Sequence, residues 1–221
     1  MKVLIDQPFG IGDILFLSPI VKLIEAEDII WPIVDQYYWI KDYLLIDNLT
    51  FIKQSEFNKQ SYLDYNEIPF QTAHAMFPES RDCMEAKYKL FDIDLDIWKS
   101  LSFNRNYKKE LELKKLLNIN ENDKFIFINN NFASKEYNYK IDIKLDTDLK
   151  TVYQQYIDEY TLLDWCGVLE QASEIHTVST SLFFVIQSLN LSQKIHLYPR
   201  KPIDKDLSPI KSLLSDKWIC H

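Results

Sequence analysis

The chain has 221 residues, of which 47% are hydrophobic and 14% aromatic, enough apolar material for one large domain or a compact two-lobed unit. Its net charge of −8 at pH 7 argues against broad nucleic-acid or acidic-lipid binding, though a local basic pocket for one phosphate ligand remains allowed. The three cysteines (Cys83, Cys166, Cys220) have no metal-knuckle spacing and suit a reducing cytosol. The N-terminus carries Asp6 and Asp13 and no small-residue cleavage site, so no signal peptide is expected. No apolar run approaches the ~20 residues of a membrane span, and a cytoplasmic location follows as the expectation.

In chain order, Met1 to Gln7 carries consecutive apolar residues, as does a strand covered on both faces. Next comes Gln7-Pro8-Phe9-Gly10-Ile11-Gly12-Asp13-Ile14, which holds two of the chain's three glycines. An apolar helical run follows to Ile24. A strand, a glycine turn and a helix start present free N–H groups and a helix dipole to an anion. Gly10 and Gly12 are therefore candidate ligand-binding positions. Asp13 can cap the helix or serve as a carboxylate base. The plainer reading is a simple strand-to-helix connection, since the third glycine of the dinucleotide fingerprint is missing. Pro19 should kink the helix or restart it, with Ser18 as N-cap.

Further strands are expected at 29–34 and 49–52, with another element within 62–69. Short helices are expected at 37–45 and 79–91. The aromatics Trp31, Tyr37, Tyr38 and Trp39 suit core packing better than a sugar platform. Asp92, Asp94 and Asp96 alternate with apolar residues, but Ile97 and Phe103 stand where a calcium loop needs Gly and Glu. These acids fit capping better than a D-x-D metal site, and no metal is called. A charged amphipathic helix, Lys108 to Leu117, then leads to polar turn material, which sets a boundary at 118/119.

The second half repeats the alternation. Phe125 to Ile128 is a buried strand ending in Asn129-Asn130-Asn131, and polar residues at such an end face the ligand crevice of open α/β sheets. Asn130 is the candidate there, with Lys135 in the following loop; Lys135, Lys140 and Arg200 can neutralise a diphosphate, though lone loop cations, like Lys87 and Arg105, are usually solvated. Strands are expected at 142–145, 152–153, 174–178 and 194–198, and helices at 162–172, 182–189 and 210–218. His176 lies in an apolar strand, where a hydrogen-bonded structural role outweighs catalysis. Ser179-Thr180-Ser181 joins a strand to an apolar helix; its hydroxyls and N–H groups can hold a pyrophosphate or simply cap the helix.

Two distant stretches together resemble one family. Gly10-Ile11-Gly12-Asp13-Ile14 with Ser18-Pro19 looks like the opening loop of heptosyltransferase-like glycosyltransferases of the GT-B fold (the ADP-heptose:LPS heptosyltransferase type). The stretch from Asp164-Trp165 through Glu170-Gln171-Ala172-Ser173-Glu174-Ile175-His176-Thr177-Val178 to Ser179-Thr180-Ser181 looks like their donor-side signature. The resemblance implies an α/β protein of two small Rossmann-like lobes facing a cleft. It places an acceptor-side lobe at 1–118, a nucleotide-sugar lobe at 119–203 and a C-terminal helix packing back at 204–221. It implies transfer of a sugar from a nucleotide-sugar donor to a hydroxyl of a glycan or glycoconjugate; no metal or other cofactor is expected if helix N-termini and basic side chains stabilise the leaving diphosphate. By the same resemblance Asp13 aligns with the base, Glu170 falls near the acidic side chain that holds the nucleotide ribose, and Ser179, Thr180 and Ser181 fall on the diphosphate turn; His176, within the same stretch, is kept as a candidate binding residue. The family turn usually opens with aspartate and has a histidine a few residues later; here Ser179 and Phe183-Phe184 stand instead. A non-catalytic carbohydrate-binding or assembly protein is the alternative, and a Rossmann oxidoreductase is disfavoured by the incomplete glycine fingerprint.

Overall fold

The computed structural model describes residues 1–134, 137–200 and 207–221. It divides into two compact units, Met1–Asn104 and Arg105–His221.

The first unit begins with β1 (Lys2–Ile5) and α1 (Ile11–Val21), followed by β2 (Asp28–Ile33), β3 (Leu49–Lys53) and β4 (Asn66–Ile68), then α2 (Ala73–Met76) and α3 (Cys83–Lys89). Its sheet has the order β3-β2-β1-β4, all parallel. Strand order reverses between β1 and β4, so the crevice of this sheet opens where β1 ends, at the Gly10 turn. The core of the unit centres on α1, whose residues Ile14 to Val21 are all buried.

Pro19 neither kinks nor restarts α1, contrary to the sequence expectation: the helix runs through it. The reason is local. Pro19 has no N–H for the carbonyl of Leu15, but the Ser18 hydroxyl donates to that oxygen at 2.9 Å. Ser18 thus replaces the missing helical bond instead of capping a new helix. Helix α3 starts at Cys83, later than expected, because the Asp82 carboxylate accepts from the N–H groups of Met84 and Glu85. The segment expected as a helix at 37–45 is a 3₁₀ helix, Asp35–Asp42. Asp94 caps the turn at Asp96, and Asp96 pairs with Lys99, which matches the structural reading of those acids.

The second unit holds α4 (Tyr107–Leu116), β5 (Phe125–Asn129), the antiparallel pair β6 (Asn131–Ser134) and β7 (Tyr137–Lys140), β8 (Lys150–Tyr153), α5 (Cys166–Gln171), β9 (Glu174–Val178), α6 (Leu182–Ser188), β10 (Lys194–Tyr198) and β11 (Trp218–Cys220). Its parallel sheet has the order β11-β10-β9-β5-β8. Numbered within the unit this is the doubly wound order 2-1-3-4-5, whose switch point lies between β5 and β9.

Three sequence expectations change here. The units part at 104/105 rather than 118/119, because α4 is tied into the second unit: Arg105 pairs with Glu170, and Lys114 donates to Gln171 at 3.2 Å. The strand expected at 142–145 is absent, and the pairing falls instead to β6 and β7. The terminal helix expected at 210–218 is a 3₁₀ turn, Ser208–Leu213, followed by β11, which adds an edge strand beside β10. Among the described residues no helix is long and apolar enough to cross a membrane.

Candidate functional site

In the first unit the Gly10 loop is held from several sides. The Trp31 indole donates to the Gln7 carbonyl at 3.0 Å, Gln7 Nε2 donates to the Phe9 carbonyl at 2.8 Å, and Val34 N–H donates to the Pro8 carbonyl at 3.1 Å. Gly10 has φ 82°, and a Cβ there would run into the Asp13 carboxylate. Only glycine serves both demands. The turn delivers Gly12 and Asp13 into the first turn of α1, which has no side-chain cap.

Asp13 is not alone. Lys87 of α3 pairs with its carboxylate and also donates to Gln7 Oε1 at 2.9 Å. The Lys87 side chain is 6% exposed and that of Asp13 29%. Tyr88 donates to the Phe16 carbonyl at 3.0 Å, which locks α3 against α1 and aims Lys87 at Asp13. The sequence expectation of a solvated Lys87 is therefore corrected. It is a buried cation, and a lysine 74 residues from its partner leaves no signal in local spacing.

In the second unit a cavity of about 460 Å³ opens at the C-terminal ends of β5, β8 and β9. That is the switch point, where open α/β sheets take ligands. Its wall includes Asn129, Asn131, Gln154, Tyr160, Thr180 and Ser181. Asn129 Nδ2 donates to Thr177 Oγ1 at 2.9 Å and to Thr180 Oγ1 at 3.0 Å. This fixes the Thr180 hydroxyl as an acceptor and leaves its proton to donate into the cavity.

The backbone of the turn does less than the sequence suggested. Ser179 N–H donates to the Tyr198 carbonyl at 3.0 Å and Thr180 N–H to the Val178 carbonyl at 2.8 Å. Those two N–H groups are consumed by the fold and are not offered to an anion. Ser179 itself is buried. Arg200 donates to the Ser179 carbonyl and lies 5.0 Å from the Phe132 ring centroid, which brings one cation to the turn.

The remaining candidates go elsewhere. Asn130 is buried and its carbonyl accepts from Ile141 N–H; its neighbours Asn129 and Asn131 line the cavity instead, because side chains alternate along a strand. Glu170 sits on α5 in a fork with Arg105, which also holds the buried Glu110. These pairs push the Arg105 pKa up, the Glu110 hydrogen bond first and the Glu170 bond second. Arg105, like Lys87, is thus a partnered cation and not a solvated one. His176 is buried among Glu174, His196 and Tyr198, away from the cavity lining. Lys135 lies outside the described residues.

The chain is thus built of two successive α/β units, each around a parallel sheet with a strand-order reversal. The full chain superposes on the glycosyl transferase family 9 protein from Veillonella parvula with a TM-score of 0.60 at 11% identity, covering 85% of that chain. It also superposes in full on the ADP-heptose LPS heptosyltransferase II of E. coli with a TM-score of 0.53 at 12% identity, covering 90% of that chain. The fold is that of these transferases. In sequence alone, no family model and no curated protein matches.

Proposed function

We propose that this protein transfers a sugar from a nucleotide-sugar donor to a hydroxyl of a carbohydrate or glycoconjugate acceptor. The observation that carries the reading is the cavity at the switch point of the second unit, edged by the Thr180 and Ser181 hydroxyls with Arg200 beside the turn. Its volume, about 460 Å³, falls within the range of small-ligand sites. Hydroxyls and one guanidinium can hold a diphosphate leaving group without a metal ion. Asp13, at the start of α1, is the base for the acceptor hydroxyl; Lys87 holds it in place and is itself held by Gln7. The shared fold with glycosyl transferases supports the assignment.

A second reading, a non-catalytic carbohydrate-binding or assembly protein, draws support from Glu170: Arg105 occupies the carboxylate that the resemblance assigns to the nucleotide.

The test is calorimetry with nucleoside diphosphates against plain nucleosides and NAD(P). A nucleoside diphosphate should bind and NAD(P) should not. Replacing Thr180 and Ser181 together with alanine removes two hydroxyl donors to a charged oxygen, each worth roughly 1.5–3 kcal/mol. Diphosphate binding should weaken at least about tenfold, the equivalent of ~1.4 kcal/mol, and nucleoside binding much less. Equal losses for both ligands, or none, would reduce the turn to a helix cap.

A further inference from the structure

Three of the chain's four histidines gather on one face of the second sheet. His176 on β9 stands directly opposite His196 on β10, and their rings stack at 4.3 Å and 6°. His221 follows β11 and stacks on Tyr198 at 4.3 Å. Glu174, two residues before His176 on the same face, places Oε1 2.9 Å from His176 Nε2 and 2.9 Å from His196 Nε2.

The hydrogen bonds of this cluster are incomplete in one place. His176 Nδ1 shares a bond of 3.0 Å with the Tyr198 hydroxyl, and His196 Nδ1 shares one of 2.8 Å with His221 Nε2. His196 Nε2, however, is buried and makes no well-formed hydrogen bond, although Glu174 Oε1 lies 2.9 Å away. One carboxylate oxygen thus faces two imidazole nitrogens and is bonded well to only one of them, an arrangement that a cation held among the three would complete.

We propose that Glu174, His176 and His196 bind a divalent transition-metal ion of the zinc type. Their three ligand atoms lie within 4.8 Å of one another. Zinc holds imidazole and carboxylate ligands at about 2.0–2.2 Å in the ring plane, so binding requires one ring to turn out of the stack until both nitrogens face the ion, with water completing a tetrahedron. Imidazole donors favour zinc-type ions over magnesium or calcium. Each imidazole already has the partner on its far nitrogen that metal-bound histidines use: the Tyr198 hydroxyl for His176, His221 for His196. The ion would bridge β9 and β10, and none of its ligands lines the cavity of the proposed donor site.

The experiment is zinc titration by calorimetry on the full chain, stripped with chelator and dialysed. The probe is Zn²⁺, with Mg²⁺ as control and circular dichroism as the check of folding. The expected result is one strong Zn²⁺ site with a Kd of about 10 μM or tighter and no Mg²⁺ binding. Exposed Cys83 and Cys220 can take zinc elsewhere, so the Glu174→Gln/His196→Gln double variant decides. It should lose the strong site, and Tyr198→Phe should weaken it roughly tenfold through the lost outer partner. Cobalt substitution gives a second readout, a visible absorption band present in the parent chain and absent in the double variant. Absence of a strong site in the parent chain, or one of unchanged affinity in the folded double variant, overturns the assignment.

Discussion

Replacing Asp13 by asparagine tests the construction of the first crevice and its chemistry separately. The Lys87 side chain is 6% exposed and depends on Asp13 and Gln7 for its polar partners. Removing one member of a fully buried pair costs about 3–5 kcal/mol, chiefly because the other charge is stranded. Here the introduced asparagine keeps an oxygen for the ammonium, Gln7 stays at 2.9 Å, and Asp13 is 29% exposed so that water screens the pair. The expected loss is therefore smaller, ~1.5–2.5 kcal/mol, which for a chain of this size lowers the melting temperature by roughly 3–10 °C. The cause is the stranded cation, so adding Lys87→Met to Asp13→Asn should restore at least about 1 kcal/mol. Urea denaturation of the two single variants and the double variant closes the cycle. A double variant no more stable than Asp13→Asn alone would refute the argument. In a transfer assay the folded Asp13→Asn variant should lose ~10²–10⁴ in rate with donor binding unchanged. Near-normal turnover would remove Asp13 from the chemistry.

Three further outcomes are expected. Arg105→Met leaves the buried Glu110 carboxylate without its cation and should cost about 3 kcal/mol in denaturant unfolding, whereas Glu170→Gln, at an exposed carboxylate, should cost under ~1 kcal/mol; equal costs would contradict the assigned burial. Ser18→Ala strips the Leu15 carbonyl of its replacement donor inside a buried helix and should cost about 1–2 kcal/mol by the same measurement, and a neutral result would show that α1 tolerates the missing bond unaided. Chelator should leave nucleoside-diphosphate binding and transfer intact, because the proposed donor contacts are hydroxyls and a guanidinium and the proposed zinc ligands lie apart from the cavity; loss on chelation with recovery on adding metal would reverse that.

Much of the architecture was legible because it rests on local pattern. Consecutive apolar residues at Val3-Leu4-Ile5 and Phe125 to Ile128 mark buried parallel strands, and Gly10 marks a turn whose positive φ and close approach to the Asp13 carboxylate call for glycine. Thr180 and Ser181 were legible as cavity residues because they close a strand and open an apolar helix. Misreadings arose where one hydrogen bond or one strand pairing outweighs the general preference of a residue type. Pro19 signals a break in any isolated helix, yet one hydroxyl on its neighbour keeps α1 continuous. The terminal segment 210–218 has helical spacing, but the open edge of β10 recruits its end as β11.

What the chain alone determined is therefore its class, two alternating α/β halves, and the two turns around which those halves are organised, since strand, turn and helix start are set within a few residues. Which charged groups meet was settled by folding. Lys87 reaches Asp13 across 74 residues, Arg105 reaches Glu170 across 65, and His196 aligns with His176 only because β9 and β10 pair in that register. Coulomb and hydrogen-bond energies depend on distance in space, and sequence separation carries almost no information about it until the sheets have formed.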